Sequence, residues 1–240
     1  MQSEMTETLH VLDETIEYDV TRSDDATRPR IDVDIRGVRV VLPTDSDLDP
    51  HELVEDNTQW VLDSWREYQD YREQAPSRSF TPGEHFPFRG GTRRLAVRDV
   101  ERSHVTSDEV ILATDAVERR GIQDELEALY RSEARDVFGS RIDHYADEMD
   151  VEPGQLELRN QRTRWASCSR KRTLSFNWRL VMAPDDVIDY VVIHELTHLL
   201  ESNHTRRFWS IVSKYDPEYK SHAEWLDENS VQLIFTADDL

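Results

Sequence analysis

Apolar and polar positions alternate early in the chain. Ile31, Val33 and Ile35 fall on one side, Asp32, Asp34 and Arg36 on the other, and Val38, Val40 and Leu42 follow Gly37. A period of two predicts β-strands between Ile16 and Pro43. Asp49-Pro50 then opens a stretch in which Leu53, Val54, Trp60, Val61 and Trp65 recur at helical spacing. Pro76, Pro82, Gly83, Pro87, Gly90 and Gly91 punctuate a second β-rich segment that ends in Arg94-Leu95-Ala96-Val97. Residues 1–14 read as a flexible, poorly anchored leader.

The period changes after residue 105. Ser107-Asp108 predicts the cap of a long helix running to about Met149, with Val110, Val117, Leu126, Leu129, Val137, Phe138, Ile142 and Tyr145 as its apolar stripe. Gly121 and Gly139 are the points at which it can break. Leu156–Arg159 and Thr173–Phe176 read as short strands. Pro184 with Asp185 or Asp186 starts a helix over about 185–201, with acid at its positive end. Two further helical pieces are expected around 206–215 and 223–235. No internal repeat is visible. The expectation is an α+β fold: a leader (1–14), a β-rich N-terminal part (15–105), and a mixed C-terminal domain (106–240) reached through the long connecting helix.

Charge narrows the partners. The chain has 240 residues, with 50 acidic against 29 basic, a formal net charge of −21 and a sequence pI of about 4.7. Such a mean field repels phosphate, so the average surface binds neither nucleic acid nor an anionic membrane. The acid is dispersed among apolar positions and six tryptophans, as on a charged surface around a core. Lys171, Lys214 and Lys220 are the only lysines. Acid excess together with scarce lysine points to a halophilic protein, because salt screens self-repulsion over about 3 Å at 1 M. Cys168 is the only cysteine, which excludes an intrachain disulfide and a four-cysteine zinc site, and suits a reducing cytoplasm. Residues 1–8 have no basic or apolar signal region, and no apolar run reaches a membrane span. A soluble, cytoplasmic protein is expected.

Chemistry is concentrated in Tyr190-Val-Val-Ile-His194-Glu195-Leu-Thr-His198-Leu-Leu, a His-Glu-x-x-His pattern in a strongly helical stretch. Residues four apart lie on one helical face about 6 Å apart. Two such imidazoles can hold one zinc at about 2.0–2.1 Å per bond. Glu195 sits about 100° further round, where it reaches a water on the metal rather than the metal itself, the position of a general base. The pattern arises by chance roughly once in 150 to 200 chains, and His51-Glu52-Leu53 begins the same way before Glu55 breaks it. Burying two imidazoles and a carboxylate among Val, Ile and Leu is costly unless something satisfies them, which favours the metal. A catalytic zinc takes three protein ligands, and Glu201, His204 and His222 are the candidates for the third. Glu201 lies about 10 Å along the helix from His194, too far on a straight helix. His204 fits if the helix ends after Leu200 and turns at Ser202-Asn203, with His222 as the second choice.

Arg164-Trp165-Ala166-Ser167-Cys168-Ser169, Leu174 to Leu180 with Asn177-Trp178, Asp189 to His198, Asn203-His204 and Phe208-Trp209 together resemble the YgjP-like metallopeptidases. These are a zincin-fold group related in outline to SprT-like proteases. The resemblance covers about residues 16–235 and includes Thr81 to Phe88. It differs at Ala166, where the family has Gly, a change tolerated unless the backbone needs a positive φ. The resemblance implies a zincin-like core, His194, His198 and His204 as metal ligands, Glu195 as catalytic acid/base, and Trp165, Ser167, Asn177 and Trp178 as the framework of the site.

The implied activity is a zinc-dependent metallopeptidase that hydrolyses a peptide or protein substrate with a Glu-activated, zinc-bound water. Tyr190, Asn177, Arg164 and His222 are the candidate oxyanion donors. Thr173–Phe176 is the expected edge strand for an extended substrate. One alternative is a non-catalytic metal-binding interaction module, which has no use for Glu195. The other is an SprT-like protease acting on nucleic-acid-associated proteins, suggested by a basic island of Arg159, Arg162, Arg164, Arg170, Lys171 and Arg172. Local charge balance is the preferred account of that island.

Overall fold

The computed structural model describes residues 5–11, 14–24, 26–34, 37–160 and 164–236. Ile35, Arg36 and Arg162 lie outside the described residues. The chain divides into two compact units, residues 1–75 and 76–239.

In the first unit, β1 (Met5–Val11), β2 (Glu14–Ser23), β3 (Arg30–Asp34) and β4 (Gly37–Pro43) form a sheet in the order β1-β2-β4-β3. β1 and β3 pair antiparallel to their neighbours, while β2 and β4 run parallel. Alternation places Ile16, Tyr18 and Val20 of β2 with Val38, Val40 and Leu42 of β4 in one core. Val54 of α1 (Pro50–Asp56) and Val61 and Leu62 of α2 (Thr58–Gln74) complete it. The Asp49 carboxylate accepts from the His51 amide at 2.8 Å, and Pro50 occupies the first turn, as the sequence implied. The leader expectation is corrected for residues 5–11. Leu9 is buried opposite Ile16, and the Tyr18 hydroxyl donates to Glu7 at 2.7 Å. In the sequence Met5, Leu9 and Val11 fall in one alternating register, but Glu7 interrupts it and leaves a weak pattern.

The second unit opens with β5 (His85–Phe88), β6 (Gly91–Arg98), β7 (His104–Val105) and β8 (Glu109–Ala113), in the order β5-β6-β8-β7. The boundary at residue 75 places β5, β6 and β7 with the C-terminal elements, whereas the sequence groups them with the N-terminal part, 15–105. The pairing is again antiparallel, parallel, antiparallel. Two helices separated by one residue follow in both units: α1 and α2 above, and here α3 (Thr114–Arg120) and α4 (Ile122–Met149). The repeat that the residues do not display is present as topology.

The helix expected from 107 is corrected by β8. Val110, Ile111, Leu112 and Ala113 are consecutively buried, which a helix with one apolar face cannot achieve and a central strand can. Gly121 takes φ +87° and separates α3 from α4, whereas Gly139 leaves α4 unbroken. Helix α4 packs on β8 and on the elements that follow it: β9 (Leu156–Arg159), the 3-10 turn Trp178–Met182 and α5 (Asp185–Thr197). β10 (Ala166–Cys168) and β11 (Leu174–Asn177) form a third sheet with β9, in the order β10-β11-β9. β10 was not foreseen. It makes β11 central, so Thr173–Phe176 is not an edge; among the described residues β10 and β9 are the two edges of this sheet. Helices α6 (Arg206–Tyr215) and α7 (Tyr219–Asn229) pack against α5. Among the described residues no helix is long and apolar enough to cross a membrane.

Candidate metal centre

Helix α5 carries Val187, Ile188, Val191, Val192, Ile193 and Leu196 buried and so fixes the direction of its polar residues. It ends at Thr197, one turn earlier than the expected 201. The Thr197 hydroxyl donates back to the Ile193 carbonyl at 2.8 Å, and the amides of Leu200 and Glu201 both return to the Thr197 carbonyl. This tight close lets 198–205 double back, and Thr205 caps α6 by accepting from the Phe208 amide at 3.3 Å.

The reversal brings His204 to the pair on α5. One ring nitrogen from each of His194, His198 and His204 lies within 4.8 Å of the others, and the Nε2 atoms of His194 and His204 are 3.0 Å apart. Tetrahedral bonds of about 2.05 Å separate ligand nitrogens by about 3.3 Å, so the three imidazoles fit a zinc-sized ion. Neither Glu201 nor His222 belongs to the cluster among the described residues. Burial pushes His194 down to about 3, with the charges of His198 and His204 adding to it. Burial and His204 also lower His198. Neutral rings keep the lone pairs that a metal needs.

Glu195 is buried beside them. Its Oε2 has no hydrogen-bond partner among the described residues, an orphan of the kind that marks a working group. Burial raises its carboxyl to about 7, opposed by Arg164 and by a hydrogen bond from the Cys168 amide. The latter arises because Trp165 and Ser169 turn their backbone groups toward β11, through Asn177 N–H to Trp165 O and Ser169 N–H to Thr173 O. By alternation, Ala166 and Cys168 present theirs on the free side.

Two aromatic residues from α6 line the histidines. Phe208 is fully buried, with its ring centroid 4.9, 4.7 and 4.7 Å from those of His194, His198 and His204. Trp209 stacks on His204 at 5.7 Å. Sequence reasoning assigned neither a role, although Phe208 and Val212 stand four apart as the buried stripe of α6.

The remaining candidates separate by their partners. Asn177 accepts from the Arg179 amide through Oδ1 and caps the 3-10 turn. The buried Trp178 indole donates to Asn160 Oδ1 at 3.1 Å, under the Arg131 guanidinium. His222 is bonded through Nδ1 to Asp216 at 2.9 Å. Tyr190 packs edge-on against His194 at 5.9 Å, and Arg164 is exposed beside Glu195. Trp165 packs against the core half-buried, and Cys168 is a free, half-buried thiol. Ala166 stays in the extended β10 strand without positive φ, so its methyl is accommodated.

Among solved structures the chain is similar to the metallopeptidase zymogen jannalysin of Methanocaldococcus jannaschii, at 20% identity over 39% of this chain and 96% of that one, with a TM-score of 0.36. It is also similar to the zymogen abylysin of Pyrococcus abyssi, at 23% identity over 41% and 90%, with a TM-score of 0.30. No curated protein sequence matches. The model of the YgjP-like, metallopeptidase domain matches residues 27–229, and over that span, most of its length, the chain belongs to the YgjP-like metallopeptidase family.

Proposed function

We propose that this member of the family is a zinc peptidase, with His194, His198 and His204 as ligands and Glu195 as the proton carrier. The observation that carries the reading is the meeting of three imidazole nitrogens within 4.8 Å beside a buried, unpartnered carboxylate oxygen. A bound zinc ion supplies Lewis acidity, which polarises the scissile carbonyl and acidifies a water toward a pKa of about 7.

The protein's own residues do the rest. Glu195, buried beside the ligands, can both accept the proton of the attacking water and return it to the leaving amine. The Cys168 amide holds the carboxylate in place, and the buried walls around it limit competing water. The outward backbone groups of Ala166 pair with an extended substrate strand, which assigns to β10 the role expected of Thr173–Phe176. Tyr190, Arg164, Asn177 and His222 are the candidate oxyanion donors, His222 with Nδ1 held by Asp216. A merely metal-holding module has no use for a buried, unpaired carboxylate.

The test is paired: zinc content and cleavage of an unfolded protein, at high salt, for wild type, Glu195→Gln and His204→Ala. Glu195→Gln is expected to keep zinc and lose cleavage by at least about 100-fold, while His204→Ala loses the zinc. Undiminished cleavage by Glu195→Gln ends this reading. Full zinc retention by His204→Ala removes His204 from the ligand set.

A further inference from the structure

The free side of β10 is flanked by positive charge. Arg164 lies two residues before the strand, and Arg170, Lys171 and Arg172 form the turn that leaves it; all four are exposed and in no salt bridge among the described residues. Elsewhere Arg89, Arg94, Arg98, Arg120, Arg131 and Arg159 are engaged by carboxylates. A chain with 50 acidic residues against 29 basic ones thus gathers four exposed cations at the two ends of one strand, Arg164 acting also on the Glu195 carboxylate. That strand borders Glu195.

The turn is held in place. The Arg172 amide donates to the Ser169 carbonyl at 2.8 Å, and the Thr173 amide to Ser169 Oγ at 3.1 Å. From below, the Gly154 amide donates to the Arg172 carbonyl at 2.7 Å. A Cβ at Gly154 would meet that oxygen at 2.8 Å, so the approach requires glycine. Three strand residues rise about 10 Å, which puts Arg164 and the turn within reach of one bound peptide of six to eight residues, as an order-of-magnitude span.

We propose that β10 selects peptide segments bearing acidic side chains, guided at one end by Arg164 and at the other by the Arg170-Lys171-Arg172 turn. The proposal rests on the peptidase reading and names its substrate class. A peptide strand uses both the outward backbone groups of Ala166 and the flanking charges, whereas nucleic acid uses the charges alone and meets carboxylate elsewhere on the surface.

The experiment uses the full, zinc-loaded chain and three labelled octapeptides identical except for two Glu, two Gln or two Lys residues. Binding is read by fluorescence anisotropy on Glu195→Gln, and kcat/KM on wild type, at about 0.2 M salt and again at about 2 M. The Glu peptide is expected to bind on the order of 10-fold tighter than the Gln peptide, with the ratio shrinking at the higher salt. Added Arg170→Gln and Lys171→Gln changes bring the ratio near one without altering affinity for the Gln peptide. Lys171→Gln alone, expected to lower the ratio in part, is the milder check should the pair unfold. Equal binding of all three peptides, or a ratio unmoved by the variant, overturns the selectivity. Tighter binding of a single-stranded DNA octamer, lost in the same variant, overturns it in favour of a nucleic-acid surface. Unselective binding with normal cleavage sinks this inference and leaves the peptidase. Selective binding without cleavage keeps the acidic-peptide surface and sinks the peptidase.

Discussion

The rings of the three histidines converge on Phe208. Its ring, fully buried and less than 5 Å from each imidazole centroid, denies each ring alternative rotamers and hydrogen-bond partners on that side. Truncation to Ala is expected to cost about 3–5 kcal/mol of stability, read from chemical denaturation, and to weaken zinc binding at least tenfold. Phe208→Leu keeps most of the volume and is expected to hold zinc within several-fold of wild type. Wild-type zinc affinity in Phe208→Ala would show that the histidines are positioned without it. The sequence displayed His194, Glu195 and His198 because helical geometry alone relates them. His204 followed because Ser202-Asn203 offered a reversal. Phe208 and the Cys168 amide were illegible as parts of the site, since their positions depend on which distant element packs there. Asn177 also caps the 3-10 turn through Oδ1, a contact that only the three-dimensional partner of its side chain reveals.

At the scale of elements, α5 is positioned through charge at its first two turns. Arg89, from the turn after β5, pairs with Asp185 at 2.7 Å, while Arg141 of α4 reaches both Asp185 and Asp189. Arg141 and Asp189 are only 25% and 26% exposed, so screening discounts their interaction only in part. Arg141→Leu is expected to destabilise by about 2–3 kcal/mol, because it strands Asp189, and Asp189→Leu in that background to recover most of the loss. Burial already raises the Asp189 carboxyl above its usual range, against the pull of Arg141 and Tyr145. Without Arg141 it rises further. A carboxyl raised on folding gains stability as pH falls through its folded pKa, so the deficit of Arg141→Leu should be larger at about pH 7.5 than at about pH 5.5. A pH-independent deficit would refute this origin. The same elements mark the limits of periodicity. β8 resembled the start of a helical stripe because Val110 and Val117 stand seven apart, two helical turns, and three-residue β10 is too short to alternate visibly. Missing β10 in turn made central β11 look like an edge.

For the whole molecule, the repeated strand order and paired helices show that one arrangement of β-sheet and helices is built twice on different residues. The arrangement asks only for apolar alternation, which many sequences supply, so the duplication is invisible in residue identities. Each unit has its own core, and the dispersed acid surrounds both. At a net charge of −21, self-repulsion opposes every compact form of the chain. Exposed ion pairs return little of that cost, typically about 0–1 kcal/mol each. Salt should therefore stabilise this protein by screening, whereas a chain dependent on its surface pairs would be weakened. Raising KCl from about 0.1 M to about 2 M shortens the screening length from about 10 Å to 3 Å or less, and the melting temperature is expected to climb by several degrees or more. Sorbitol at matched osmolality acts through exclusion from the surface and leaves charge unscreened, so it should reproduce only a minor part of the gain. An unchanged or falling melting temperature in KCl would show that the acidic surface is not a halophilic one.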